Sequence, residues 1–342
     1  MQDKPKRATI HDVARRAGLS AATVSKVLNG VSTVKADNAD RVRSAIEELD
    51  FRLDPLASGL RNEQRRIIGV VVPDLESPFF GALVTHLERL AQDAGYHVII
   101  TSSRESEERE EELVARINDW RVAGTILIPA RSERGLGALA LRGRDMNAVL
   151  VDRVVTDGHF DTVTADNFEA SASVADFLLD QGHKHMLVHG ATKLSKAVRT
   201  RLDGFSERAR SRDPGVQIDE LLSDNDLEAQ RDAISTYFES HAGGQQPTAV
   251  FSLSQHSALL MFSELRRRDI RIPQEIALVS FDDADWMQTS WPTVSAVVQP
   301  VEAIAERALS VLLARINGEN NSRPVHYMEP CTMQIRQSTG QQ

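Results

Sequence analysis

The chain has 342 residues, 41% apolar and 26% charged, with a formal charge of −9. That length suits about two domains of roughly 150 residues each, and 19 Gly with 12 Pro exclude a collagen-like, low-complexity or largely disordered polymer. The lone Cys331 excludes an internal disulfide and a Cys-rich zinc site, and neither a membrane span nor a signal peptide is legible, so a soluble cytoplasmic protein with no membrane partner is expected.

The first 50 residues carry helical periodicity. Thr9 is a candidate N-cap with Asp12 three residues later, opening a helix over 10–17 with Ile10, Val13, Ala14 and Ala17 on one face. Gly18 supplies a turn. Ser20 caps a second helix over 21–28, with Val24, Val27 and Leu28 inward, and Asn29-Gly30 ends it. A third helix over 37–49 repeats the pattern with Val42, Ala45, Ile46 and Leu49. Asp54-Pro55 then announces a two-turn segment over 54–60, too short to stand without a partner.

From Arg65 onward short apolar runs recur, at 67–72, 97–100, 124–128, 148–151, 186–188, 248–251, 276–281 and 294–298. Amphipathic stretches separate most of them, at 78–94, 107–120, 169–181, 199–210, 256–268 and 301–316. This alternation predicts an α/β fold with doubly wound parallel sheets, and the length predicts two lobes. The acidic run Glu105–Glu112 reads as a solvated first helical turn, where carboxylates suit the helix dipole. Cys331 reads as a half-buried strand residue.

Charge is unevenly spread. Residues 1–66 hold 13 Lys+Arg against 9 Asp+Glu, and the remainder 27 against 40. A basic module on an acidic body is the asymmetry of a nucleic-acid contact. Two short helices about a Gly turn, the second with small outward residues, suit a major groove. Lys26 can donate to guanine acceptors, Ala21 and Ala22 can pack on thymine methyls, Ser25 faces out beside them, and Ser20 and Thr23 are placed for phosphate. An ordinary αα-hairpin has the same local pattern.

The string ATIHDVARRAGLSAATVSKVLNG, continued by VKADNADRVRSAIEELDFRLDPLASGL, closely resembles the head, third helix and hinge of the lactose/galactose-repressor family of bacterial transcriptional regulators. IIGVVVPDLESPFFGALV, VLVDR, TVTADNFEAS, GHKHMLVHG, RTRLDGF and RIPQEIALVSFDDADW carry the resemblance through the body to about Ser338. It implies a ligand-responsive repressor: a homodimer whose heads read a palindromic operator in double-stranded DNA, with a two-lobed body like a periplasmic sugar-binding protein. On DNA it sets Thr9, Ser20, Ala21, Ala22, Thr23, Ser25, Lys26 and Asn29, with Leu60 as a minor-groove wedge. The chain departs from the family at Leu53, usually Pro, and Ser58, usually Arg.

For the effector cleft the resemblance implies Phe79 and Phe80 from the first lobe, Asp152 and Arg153 near the crossover, and Arg199, Gln255 and Asp282 from the second. Aromatics stack on a sugar or base ring, while Arg and Asp bond hydroxyls. Each has a structural alternative: core for the phenylalanines, an ion pair for Asp152–Arg153, a loop cap for Asp282. Ser254-Gln255 replaces the usual Asn-Asp and removes a carboxylate from the wall. The implied division is a head at 1–50, a hinge at 51–64, a first lobe at 65–164 with 294–326, a second at 165–293 with 327–338, and a tail at 339–342.

A sugar or sugar derivative is the expected effector, with a nucleoside or purine as the alternative. A periplasmic-type solute-binding protein and an enzyme are the rival classes. Against an enzyme, Gly135-Leu136-Gly137 lacks the rest of a dinucleotide fingerprint, His183-Lys184-His185 lacks metal spacing, and no nucleophile elbow is present. No catalytic residue, cofactor or metal is expected. The short tail lacks heptads, so a dimer is expected rather than a coiled-coil tetramer.

Overall fold

In the head, apolar spacing of three and four residues closes a small helical core. The computed structural model describes residues 8–28, 34–49, 51, 66–132, 134–155, 158–191, 196–223, 226–241, 246–319 and 323–340. The chain divides into two units, Met1–Arg65 and Arg66–Gln342. The first holds α1 (Ile10–Ala17), α2 (Ala21–Leu28) and α3 (Ala36–Glu48). Val13, Ala14, Ala17, Val24, Val42 and Ala45 are buried together, with Ile46 and Leu49 half-buried at their edge. Asn29 and the hinge positions Leu53, Ser58 and Leu60 lie outside the described residues.

In the second unit, continuous apolar runs become parallel strands covered on both faces, the arrangement that such runs require. The first sheet contains β1 (Ile67–Val72), β2 (His97–Ser102), β3 (Gly124–Leu127), β4 (Ala148–Val151), β5 (Asp161–Ala165) and β11 (His326–Glu329). The second contains β6 (His185–Ala191), β7 (Gln217–Ser223), β8 (Ala249–Ser252), β9 (Ala277–Phe281), β10 (Ser295–Val298) and β12 (Thr332–Gln334). Their orders, β11-β5-β4-β3-β1-β2 and β12-β10-β9-β8-β6-β7, repeat one winding. Every pairing is parallel except β10 with β12.

Helices α4 (Pro78–Asp93) and α12 (Val301–Ile316) cover one face of the first sheet, and α5 (Glu107–Asp119) and α6 (Leu136–Gly143) the other. In the second lobe α7 (Asn167–Asp180) and α8 (Lys196–Arg212) face α9 (Leu227–Ser240) and α10 (Gln255–Arg267) across the sheet. A short α11 (Asp285–Thr289) follows β9. Among the described residues no helix is long and apolar enough to cross a membrane.

The chain passes between lobes after β5, after β10 and between β11 and β12. Two expected boundaries therefore move. Residues 295–298, assigned to the first lobe, pair with β9 in the second sheet, and only α12 returns to the first. Residues 327–329, assigned to the second lobe, pair with β5 in the first sheet. An apolar run is compatible with either sheet until its hydrogen-bonding neighbour is known. Strand β5 escaped the hydropathy pattern because it buries Asp161, Thr162 and Thr164. Arg315 Nε donates to Asp161 at 2.7 Å, which satisfies that charge.

The acidic run is a second correction. Glu108, Glu111 and Glu112 are exposed, but Glu107 and Glu110 lie on the inner face of α5 with Val114 and Ile117. Glu110 accepts from the backbone N–H groups of Ala130 (2.5 Å) and Gly137 (3.1 Å). Any Cβ at Gly137 would meet that carboxylate, so the glycine makes its room. Burial pushes Glu110 up to about 7. Cys331 is half-buried, in the link between β11 and β12 rather than in a strand, and packs against the cores of both lobes.

Candidate functional site

In the head, Thr9 and Asp12 form a reciprocal cap. The Asp12 N–H donates to Thr9 Oγ1 at 3.3 Å, and the Thr9 N–H to Asp12 Oδ2 at 2.9 Å. Gly18 takes φ 65 and turns the chain. Ser20 Oγ accepts from the Thr23 N–H at 3.2 Å and pairs with Thr23 Oγ1 at 2.9 Å, starting α2. Thr9, Ser20, Ala22 and Lys26 are exposed, while Thr23 and Ser25 are half-buried. Ala21 packs partly against the head core, so Ala22 and Lys26 are the more open of the expected base readers.

In the body, the carboxyl ends of both sheets line a cavity of about 520 Å³. Ligands in open α/β sheets bind at such strand ends. Asp74 accepts from the N–H groups of Glu76 (2.9 Å) and Ser77 (3.0 Å), and Pro78 then starts α4. The first turn of α4 brings Phe79 and Phe80 edge to face, with centroids 5.3 Å apart. Phe80 also belongs to the lobe core, whereas Phe79 is half-buried. Asp152, φ 61, directly follows β4, and Asp282, φ 71, directly follows β9. Repeated topology thus delivers one left-handed aspartate from each lobe to one space.

Two arginines cross this space, each held by protein acceptors. Arg153 Nη1 donates to Glu105 at 2.6 Å and to the Ala130 carbonyl at 3.0 Å. The ion pair formed by Arg153 is with Glu105, not the Asp152–Arg153 pair weighed as the structural alternative. Arg201, 5% exposed, donates to Asn167 Oδ1 at 2.7 Å and to the Leu253 carbonyl at 2.8 Å. Its guanidinium lies 3.7 Å over the Phe281 ring and 3.6 Å from Asp282 Oδ2. Gln299 Nε2 donates to Asp282 Oδ1 at 2.5 Å. Burial lifts the Asp152 carboxyl above its usual range, with Arg201 and Arg153 pulling it back.

Of the expected cleft residues, Phe79, Phe80, Asp152, Arg153, Gln255 and Asp282 line this cavity together. Arg199 does not. It is exposed on α8, and Arg201 lines the wall instead. The signal was in the sequence: Ala197, Arg201, Phe205 and Ala209 are buried at four-residue spacing. Gln299, Glu105, Asp74 and His256 were also missed. Each comes from a loop or element end whose place hydropathy does not reveal. Ser254 caps α10 by accepting from the Ser257 N–H at 3.2 Å, which presents Gln255 to the cavity. His183 and His185 take polar partners, Thr248 and Asp219. Among the described residues no His/Cys/Asp/Glu group could hold a metal.

Residues 9–54 match the family described as bacterial regulatory proteins, lacI family, and residues 175–339 match a periplasmic binding protein-like domain. The chain is similar to the HTH-type transcriptional regulator PtxS of Pseudomonas putida, 30% identical over 336 residues and 94% of both chains. It is 27% identical to catabolite control protein A of Staphylococcus aureus over 92% of this chain and 94% of that protein. Among solved structures, the lac repressor dimer bound to operator and the anti-inducer ONPF has a TM-score of 0.85 at 22% identity, covering 98% of this chain and 99% of that one. The transcriptional regulator CelR–cellobiose complex has a TM-score of 0.71 at 23% identity, covering 97% and 100%.

Proposed function

The chain belongs to the lacI family of bacterial regulatory proteins, and from that premise we propose a cytoplasmic repressor that binds a palindromic operator as a homodimer and is switched by a sugar or sugar derivative. A regulator of this family is not an enzyme. The observation that carries the finer reading is the body cavity, where Phe79, Asp152, Arg201 and Asp282 converge from both lobes on about 520 Å³. An aromatic face beside fixed carboxylates and guanidiniums is the chemistry that binds a polyhydroxylated ring. In the head, exposed Ala22 and Lys26 on a capped α2 support base reading, and the hydroxyls of Ser20 and Thr23 at its start support phosphate contact. Thr9, Ala21, Ser25, Asn29 and Leu60 complete the proposed DNA contacts.

Closure of the lobes about the crossovers would carry the effector signal, provided that the effector binds the two arrangements unequally. Such coupling is usually about 1–3 kcal/mol. The test is an operator gel shift with the full chain and with a chain lacking residues 1–61, with and without a monosaccharide panel. Operator binding by the full chain alone, altered by a panel member, is expected. Operator binding that survives loss of residues 1–61 would refute the assignment of the head.

A further inference from the structure

The cleft is unbalanced in charge and in hydrogen-bonding sense. Five carboxylates line it, Asp74, Glu76, Glu105, Asp152 and Asp282, against two guanidiniums, Arg153 and Arg201. Arg153 Nη1 and Arg201 Nε and Nη1 are already engaged by Glu105, Asn167 and main-chain carbonyls. Two buried polar atoms of the lining residues have no hydrogen-bond partner, Asp152 Oδ1 and Gln299 Oε1. Both are acceptors, and both residues are only 7% exposed. A buried acceptor without a donor is costly, and a carboxylate more so than an amide. What the wall lacks is a hydrogen-bond donor to these two oxygens, since Arg201 and Arg153 act on Asp152 by charge without bonding its Oδ1. An anionic ligand would enter against the carboxylate excess. A cation is favoured by the same excess of carboxylates over guanidiniums, and the half-buried Phe79 lines the cavity beside it.

We propose that the effector is a polyhydroxylated molecule bearing a protonated amine, an amino sugar or amino polyol, with its ammonium against Asp152 and a hydroxyl donating to Gln299 Oε1. This rests on the cleft being the effector site. Asp152 Oδ1 has no donor, and Gln299 Nε2 is already committed to Asp282, so its oxygen is left to receive a hydroxyl. The same carboxylate excess disfavours sugar acids and sugar phosphates.

The test is calorimetric titration of the full chain with glucose, galactose and mannose, each as the neutral parent, 2-amino sugar, uronic acid and 6-phosphate. For the skeleton that binds, the amino form should bind roughly tenfold more tightly than its parent, as expected for one added charge-assisted hydrogen bond at a buried carboxylate. The anionic forms should bind more weakly than the parent. In Asp152→Asn the ratio of amino to neutral affinity should fall to near one. Tightest binding by an acid or phosphate overturns the proposal while leaving the cleft as the effector site. Equal affinity for amino and neutral forms, or a preference that survives Asp152→Asn, overturns it likewise. Binding by no member, with operator binding unaltered, overturns it together with the sugar reading of the cleft.

Discussion

Arg201 and Arg199 leave α8 on different sides, although only one residue separates them. Arg201 is buried among Asn167, Leu253 and Phe281, and Arg199 is exposed. Arg201→Ala should abolish the effector response and cost about 3 kcal/mol of stability, because Asp282 and Asn167 lose a buried partner. Arg199→Ala should keep the response. Titrating operator binding with effector, beside thermal denaturation of each variant, measures both; an equal loss of response would refute the cleft assignment. On α2, Lys26→Ala should relax preference at one symmetric operator position, costing roughly 1–3 kcal/mol per half-site. A scan of operator bases that finds an even loss, with a flatter salt dependence, would make Lys26 a phosphate contact instead.

Helices α7 and α8 hold this arginine through their close approach. An ideal Cβ on Gly204 of α8 would lie 2.3 Å from the Phe168 carbonyl oxygen of α7. No flexible side chain can yield there, since the obstacle is backbone. Gly204→Ala should force the helices apart and destabilise the protein by roughly 1–3 kcal/mol. It should also weaken effector binding, because Asn167 opens α7 and Arg201 sits on α8. Unchanged effector affinity in a destabilised variant would show that the helix pair does not set the cleft. Helix α5 makes a related point. Its acids look like a solvated run, yet helical period sends Glu107 and Glu110 inward with Val114 and Ile117.

Two buried groups, one per lobe, give the folded protein opposing pH responses. Burial raises Glu110 from 4.5 to about 7, so its favourable contribution is complete below pH 4.5 and is lost as pH rises through 7. Burial also lowers His189 from 6.5 to about 4, so its contribution is present above pH 6.5 and is lost as pH falls toward 4. Each change amounts to about 3 kcal/mol, and between 4.5 and 6.5 they largely cancel. Glu110→Gln removes one side of this balance. Relative to wild type, its stability should rise by about 3 kcal/mol between pH 4.5 and 7, read from denaturant unfolding at a series of pH values. A flat difference would mean that Glu110 does not titrate in that window.

Local chemistry was legible without coordinates wherever neighbours in the chain make the structure. Thr9 with Asp12, Gly18 and Ser20 define the head helices because caps and turns are contacts over a few residues. Apolar runs named most strands, and helical stretches in the body were placed to within a few residues. The resemblance named six residues that line one cavity and a seventh, Arg199, that does not. Periodicity on α8 would have chosen Arg201, whose burial depends on Asn167, 34 residues away. Gln299 and the sheet membership of β10 and β11 had no local signal. They follow from pairing between distant strands, and an apolar segment carries no record of its partner. The cleft's surplus of acceptors arises in the same way: each aspartate is unremarkable in the chain, and only the meeting of two strand ends from different lobes leaves Asp152 Oδ1 buried without a donor.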